Sequence, residues 1–192
     1  MKISNLTKKF GNKVIFNNFN FEFIENKITY IMGESGSGKT TLLRIIAGLD
    51  NEYQGNVEKN NNISYVFQEP RLFPAINVKE NILISSENSQ YNVDDLLDML
   101  ELKGEEEAAI SSLSGGMKMR VALARALYCD GDLFLMDEPF SALDEELKSR
   151  ILPKIFSFLR NKTVIIVSHN LDEANKYADI ILNLNEFNWV FS

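Results

Sequence analysis

Eight consecutive residues, Gly33-Glu34-Ser35-Gly36-Ser37-Gly38-Lys39-Thr40, fit the pattern G-x-x-x-x-G-K-[ST], whose chemistry is the cradling of a nucleotide's phosphates. Glycines without a Cβ let successive backbone N–H groups face a β-phosphate. Lys39 is placed to neutralise β/γ oxygens, and the Thr40 hydroxyl to ligate Mg²⁺. Thr41 adds a hydroxyl for a further phosphate hydrogen bond. The spacing predicts ATP or GTP binding.

A phosphate loop alone does not separate kinases, GTPases and transport ATPases, so the acidic residues have to. Leu133-Phe134-Leu135-Met136 is an apolar run that delivers Asp137 to a strand end, where it can hold the Mg²⁺ shell, and Glu138 follows beyond the strand. A carboxylate there can polarise an attacking water, which favours hydrolysis over transfer to a substrate. His169, the only histidine, follows a second β-branched run, Thr163 to Ser168, and is expected at the same sheet edge, against the γ-phosphate or the water. A further glycine site lies at Leu113-Ser114-Gly115-Gly116-Met117. Taken alone, Ser114 caps a helix and the glycines form a turn; beside a phosphate loop, their N–H groups read as a second anion site opening a helix from Met117 to Tyr128.

The elements that must position these groups follow from pattern. Ile28 to Met32 reads as the strand before the loop, with a helix behind it. Asp94 to Leu100 is an amphipathic helix and Glu105-Glu106-Glu107 a solvated acidic face, so a short helical subdomain is expected over about 70–128. Asn60-Asn61-Asn62 reads as a turn between strands of a small antiparallel sheet, and Gly55-Asn56 as another turn. Pro153 is expected to kink or break a helix from Glu145 to Arg160.

In combination these motifs resemble the ATP-binding cassette of ABC transporters, from about Ile3 to about Leu184. The resemblance implies an α/β fold: a P-loop NTPase core, RecA-like, with a mostly parallel sheet flanked by helices, a small N-terminal antiparallel β-subdomain and the short helical subdomain, all in one domain over 1–192. Gly33 to Thr40 stands as Walker A, Gln68 as the Q-loop glutamine, Leu113 to Met117 as the signature, Asp137 and Glu138 as Walker B, Ser141-Ala142-Leu143-Asp144 as the D-loop, and His169 as the switch histidine. Phe10 stands where the family stacks an aromatic on adenine, though it can equally be core. The resemblance further implies a homodimer in the ATP-bound state, each ATP held by Walker A of one copy and the signature of the other. Gln68 is either a surface polar residue or, through its amide oxygen, a Mg²⁺ ligand that senses nucleotide state.

Gln68-Glu69-Pro70-Arg71-Leu72-Phe73-Pro74 and Met117 in place of glutamine are similar to cassettes of importers for nitrate, sulfonate and taurine. Arg71 to Pro74 is read as a groove for a permease helix or as a small buried corner. Net charge −7 disfavours nucleic acid as a partner. No run approaches the roughly 20 apolar residues of a membrane span. The resemblance implies a cytoplasmic chain, peripheral on the inner face of the cell membrane through an integral permease, with an extracytoplasmic substrate-binding protein as a further partner. Cys129, the only cysteine, excludes an internal disulfide and is expected beside the strand ending at Asp137. Beyond Leu184 the sequence is short, so extra helices or a regulatory domain, and with them substrate feedback, are not expected. The alternatives are an exporter cassette, and a soluble ATPase that uses dimerisation as a switch.

Overall fold

The computed structural model describes residues 1–60, 62–87 and 89–186. Strands β1 (Lys2–Phe10) and β2 (Lys13–Glu22) lead to β3 (Ile28–Met32), the phosphate loop and helix α1 (Lys39–Ile46). Then come β4 (Gln54–Val57), β5 (Ile63–Val66), α2 (Val78–Leu83), α3 (Val93–Met99) and α4 (Gly115–Cys129). The alternation β6 (Leu133–Asp137), α5 (Glu145–Phe158), β7 (Thr163–Val167), α6 (Leu171–Tyr177) and β8 (Ile180–Asn183) follows. One sheet is parallel, in the order β5-β6-β7-β3-β8; the other is antiparallel, β2-β1-β4.

The parallel strands are apolar without interruption because both of their faces are covered. Successive side chains point to opposite faces. Tyr30, Phe134, Met136, Val164 and Ile166 meet the helical layer that contains Leu97, Leu123 and Ile155. Their neighbours Ile31, Leu135, Ile165 and Val167 meet α1 through Leu42 and Leu43, and the antiparallel sheet through Leu6, Phe16 and Phe19. Ile165 is fully buried, so truncation to alanine there costs about 2–5 kcal/mol.

Register decides what the sheet presents at its edge. Asp137 pairs with Val167, and Val167 with Ile31. The chain leaving β3 into the phosphate loop, the chain leaving β6 at Glu138 and the chain leaving β7 toward His169 therefore emerge side by side.

Several local expectations are corrected. Gly55 and Asn56 lie inside β4 rather than in a turn. Gly55 has φ +101°, and a Cβ there would fall 2.4 Å from the Asn5 carbonyl oxygen, where the β1–β4 register also shifts. Glycine here serves a close backbone approach within a sheet. Asn60 and Asn62 do form an Asx-type bond, Asn62 N–H to Asn60 Oδ1 at 3.2 Å, but they join the antiparallel sheet to the parallel one, since β5 pairs parallel with β6; Asn61 lies outside the described residues.

Pro153 does not break α5, which runs from Glu145 to Phe158 through it. Ser149, whose carbonyl loses the N–H that proline lacks, is exposed, so water can take the vacant acceptor. The Glu105–Glu107 run is not a free acidic face: Glu106 accepts the Gly104 N–H, and Glu107 accepts from the Asn77 side chain that caps α2. Helices α2 and α3 are short, six and seven residues. Cys129 is the last residue of α4 and half-buried.

Candidate active site

A cleft of about 500 Å³ opens along the sheet edge. Gly33, Ser35, Gly36, Gly38, Lys39, Thr40 and Thr41 line one side of it, and Gln68, Asp137, Glu138 and His169 another. Glu34 and Ser37 do not line the cleft but belong to the loop's internal hydrogen bonding: Lys39 Nζ donates to the Gly33 and Glu34 carbonyls at 2.7 and 2.9 Å, and Ser37 N–H to the Glu34 carbonyl at 3.2 Å. The ammonium is thus folded over its own loop. Gly38 caps α1 with φ +100°, and a Cβ on it would lie 2.6 Å from Ile15 Cγ2 and 2.9 Å from Phe16 Cζ. No other residue fits where the loop turns into the helix against β2.

Asp137 ends β6 with 3% of its surface exposed, and its Oδ1 has no hydrogen-bond partner. Burial, and then the Glu138 charge, push its carboxyl up; the Thr40 hydroxyl bond and the Lys39 charge act against them. An unsatisfied buried carboxylate oxygen beside the Thr40 hydroxyl, in a cleft that Gln68 also lines, fits a hard, oxygen-seeking cation. Among the described residues no group of three or more His, Cys, Asp or Glu could hold a metal by itself. Mg²⁺ fits this donor set, because that ion keeps waters and phosphate oxygens as most of its ligands.

Glu138 adopts φ +49°, uncommon for a residue with a side chain, and its N–H donates to Val167 O at 2.9 Å. That conformation belongs to the bend out of β6. Both carboxylate oxygens lie 3.0 Å from His169 Nδ1. The histidine side chain is 73% exposed and the glutamate's only 14%. With Nδ1–H bonded to the carboxylate, Nε2 is an acceptor in the neutral ring and a donor once the ring is protonated. A paired base and ring at the lip of a phosphate cleft can orient a water and contact a terminal phosphate.

Phe10, at the end of β1, is not core: it is half-exposed and lines the cleft. Lys8 Nζ lies 4.6 Å from its ring centroid, while Lys8 itself is buried and paired with Asp50 at 2.7 Å. The sequence reading overlooked Lys8, and also Lys13, which lines the cleft across the turn from Phe10; two lysines flanking a glycine-bearing turn were the available signal. Nor is Arg71 to Pro74 a buried corner. Arg71 stacks on Phe67 at 4.1 Å, Leu72 is half-buried, and Phe73 is exposed, its backbone tied at N–H and C=O by the Asn81 side chain.

The signature and D-loop residues do not line this cleft. Leu113 is buried in the core. Ser114 caps α4 by accepting the Met117 N–H at 3.2 Å, so the capping reading holds, but Gly115 and Gly116 are the first helical residues rather than a turn. Gly115 is exposed, with nothing within 4 Å of a would-be Cβ. Met117 is half-buried against the core, which is why an apolar chain suits the position. Ser141 Oγ donates to Glu138 O at 2.9 Å, Ala142 is exposed, Leu143 is buried, and Asp144 caps α5 by accepting the Leu147 N–H at 2.8 Å.

A family model described as ABC transporter matches residues 16–141. The aliphatic sulfonates import ATP-binding protein SsuB 2 of Pseudomonas syringae pv. tomato is 37% identical over 180 residues, covering 91% of this chain and 78% of the relative. SsuB of Bacillus subtilis, named for the same import, is 38% identical over 174 residues, 83% of this chain and 68% of its own. Among solved structures, the dimeric post-hydrolysis state of the ATP-binding cassette MJ0796 bound to ADP and Pi superposes with a TM-score of 0.79 at 28% identity, over 95% of this chain and 93% of that one.

Proposed function

The chain belongs to the ABC transporter family, and from that membership we propose that it is the ATP-binding and ATP-hydrolysing subunit of an importer for a small anion or organic compound, of which the sulfonates in its relatives' names are the leading class. Two copies close around two ATP molecules and drive a separate membrane permease. The whole chain, 1–192, acts as a single cassette, with 70–128 as its helical subdomain.

In this reading Phe10 stacks on adenine. The loop N–H groups from Gly33 to Thr41 and the Lys39 ammonium bind the β- and γ-phosphates. Thr40, Gln68 and Asp137 would hold Mg²⁺, which supplies charge neutralisation at the phosphate oxygens. Glu138 takes a proton from the attacking water, and His169 holds the γ-phosphate through Nε2. Gln68 couples nucleotide state to the permease. Ser114, Gly115 and Gly116 reach the γ-phosphate of the other copy, and Ser141 to Asp144 flank that interface. Their absence from the cleft of a single chain, with Gly115 exposed at a helix N-terminus, supports a role in trans.

The permease contact falls on the loop before α2 and on the helix's C-terminal end, where Phe73 and Ile84 expose 51% and 60% of their surface. No helix among the described residues is long and apolar enough to cross a membrane, so attachment to the cytoplasmic face is through that partner. An extracytoplasmic substrate-binding protein completes the proposed importer.

The observation that carries this reading is the 3.0 Å contact of Glu138 with His169 at the lip of the phosphate cleft. Its test is Glu138→Gln. Hydrolysis should fall by about 10²–10⁴-fold, and the variant should run as a dimer with saturating Mg-ATP and as a monomer without it. A variant that stays monomeric, or that hydrolyses ATP at the native rate, sinks the proposal. Purifying the trapped variant from its own cells in mild detergent then identifies the permease by what co-elutes.

A further inference from the structure

Away from the cleft, the described residues hold a buried ion pair that the proposed chemistry does not use. Lys148 Nζ on α5 lies 2.9 Å from Glu173 Oε1 on α6, with side chains 11% and 9% exposed. Buried pairs of this kind add little stability over apolar packing of the same volume, and their best-attested use is to specify one geometry. What this pair fixes can be followed in both directions.

On the α6 side, Glu173 closes a reciprocal cap. Its N–H donates to Asn170 Oδ1 at 3.0 Å, and its Oε1 accepts from Asn170 Nδ2 at 3.1 Å. Asn170 N–H donates in turn to the buried Ser168 Oγ at 3.0 Å. His169 is the one residue between these two anchors. On the α5 side, Lys148 sits in the first turn, its N–H on the Asp144 carbonyl at 2.9 Å and its Nζ also on Glu145 at 3.1 Å. Asp144 ends the segment that Ser141 ties back to the Glu138 carbonyl. The path closes on itself at the Glu138–His169 contact.

We infer that Lys148 and Glu173 are positioning residues: their pair clamps α6 to α5 and so sets where the His169 ring stands relative to Glu138 and to the segment 141–144. The His169 side chain is too exposed to be held by packing; on its N-terminal side Ser168 is fixed by the sheet, its N–H on the Ile31 carbonyl at 3.3 Å, and on its C-terminal side Asn170 is held by hydrogen bonds that lead to this pair. The catalytic meaning of that placement rests on the role proposed for His169 above; the placement does not.

The chain's single histidine makes the test direct, since a ring-labelled sample gives one imidazole Cε1 signal. In Lys148→Met that signal should move toward its position in Glu138→Ala, where the ring has no carboxylate partner. ATP turnover should fall about 10- to 100-fold with KM for ATP unchanged, as expected for a displaced catalytic group. Lys148→Arg should restore both. If Lys148→Met fails to fold, Lys148→Met/Glu173→Met removes both charges, leaves none unpaired and carries the same expectation. A signal that stays put overturns the inference, whatever happens to turnover. A displaced signal with native turnover upholds the placement and counts instead against the catalytic role of His169.

Discussion

A Cβ built on Gly116 would lie 3.1 Å from the carbonyl oxygen of Ala142, so the start of α4 is seated against the segment 141–144 of the same chain. Its neighbour Gly115 meets nothing within 4 Å. Two adjacent glycines therefore carry different constraints, one toward its own chain and one toward open space.

Alanine separates the two. Gly115→Ala should leave stability unchanged or raise it by up to about 1 kcal/mol, since it lies in a helix, while weakening ATP-dependent dimerisation. Gly116→Ala should perturb segment 141–144 in the isolated chain as well. Thermal melting and sizing in the Glu138→Gln background read the two effects; identical behaviour of the variants would contradict the assignment.

Gly38→Ala should be costly whatever it does to nucleotide binding. The added methyl meets Ile15 and Phe16 inside 3 Å from a left-handed backbone, and strain together with overpacking should cost about 2–4 kcal/mol in urea unfolding. A variant as stable as the native chain would mean that the loop relaxes away from β2.

Asp137→Asn tests the metal without recourse to turnover. In the native chain Mg²⁺ should tighten ATP binding measured by calorimetry; in the variant that gain should fall at least about tenfold, with metal-free ATP affinity little changed. An equal Mg²⁺ effect in both chains would remove Asp137 from the metal's ligands.

Lys8 and Asp50 give a pH signature. Partial burial pushes the Asp50 carboxyl up, but the hydrogen bond and charge of Lys8, with the Glu52 N–H, outweigh it and hold it below the usual range. A depressed carboxyl stabilises the fold above its unfolded value, near 4, and loses that contribution as pH falls through the lower folded value. Lys8→Met should cost about 1–3 kcal/mol at pH 7 and flatten the loss of stability below pH about 4. An unchanged acid limb in urea titrations would show that the pair contributes nothing to it.

Much of the site was legible in the sequence because its chemistry is carried by short motifs on short-range structure. The phosphate loop between β3 and α1, Asp137 at a strand end with Glu138 just past it, and His169 after a β-branched run each need only a few consecutive residues to be read. The glycines did not read so simply. Gly55 looked like a turn because a glycine signals backbone freedom without saying whether a turn or a neighbouring strand requires it, and the Asn5 carbonyl that requires it lies 50 residues away.

The sequence by itself determined which groups exist at the edge of each element, since periodicity and local spacing are properties of neighbouring residues. Tertiary structure alone decided which of them meet. The chain segments that carry Glu138 and His169 emerge side by side because β6 and β7 pair in a register that aligns Asp137 with Val167, and nothing local to either residue specifies that register. Lys8 buries its charge because Asp50 waits for it across 42 residues, and Lys148 because Glu173 does, whereas by composition either lysine would be assigned to solvent. The signature glycines stand outside the cleft for the complementary reason: α4 starts against segment 141–144, with Gly116 seated on the Ala142 carbonyl, a contact that nothing local to either glycine specifies.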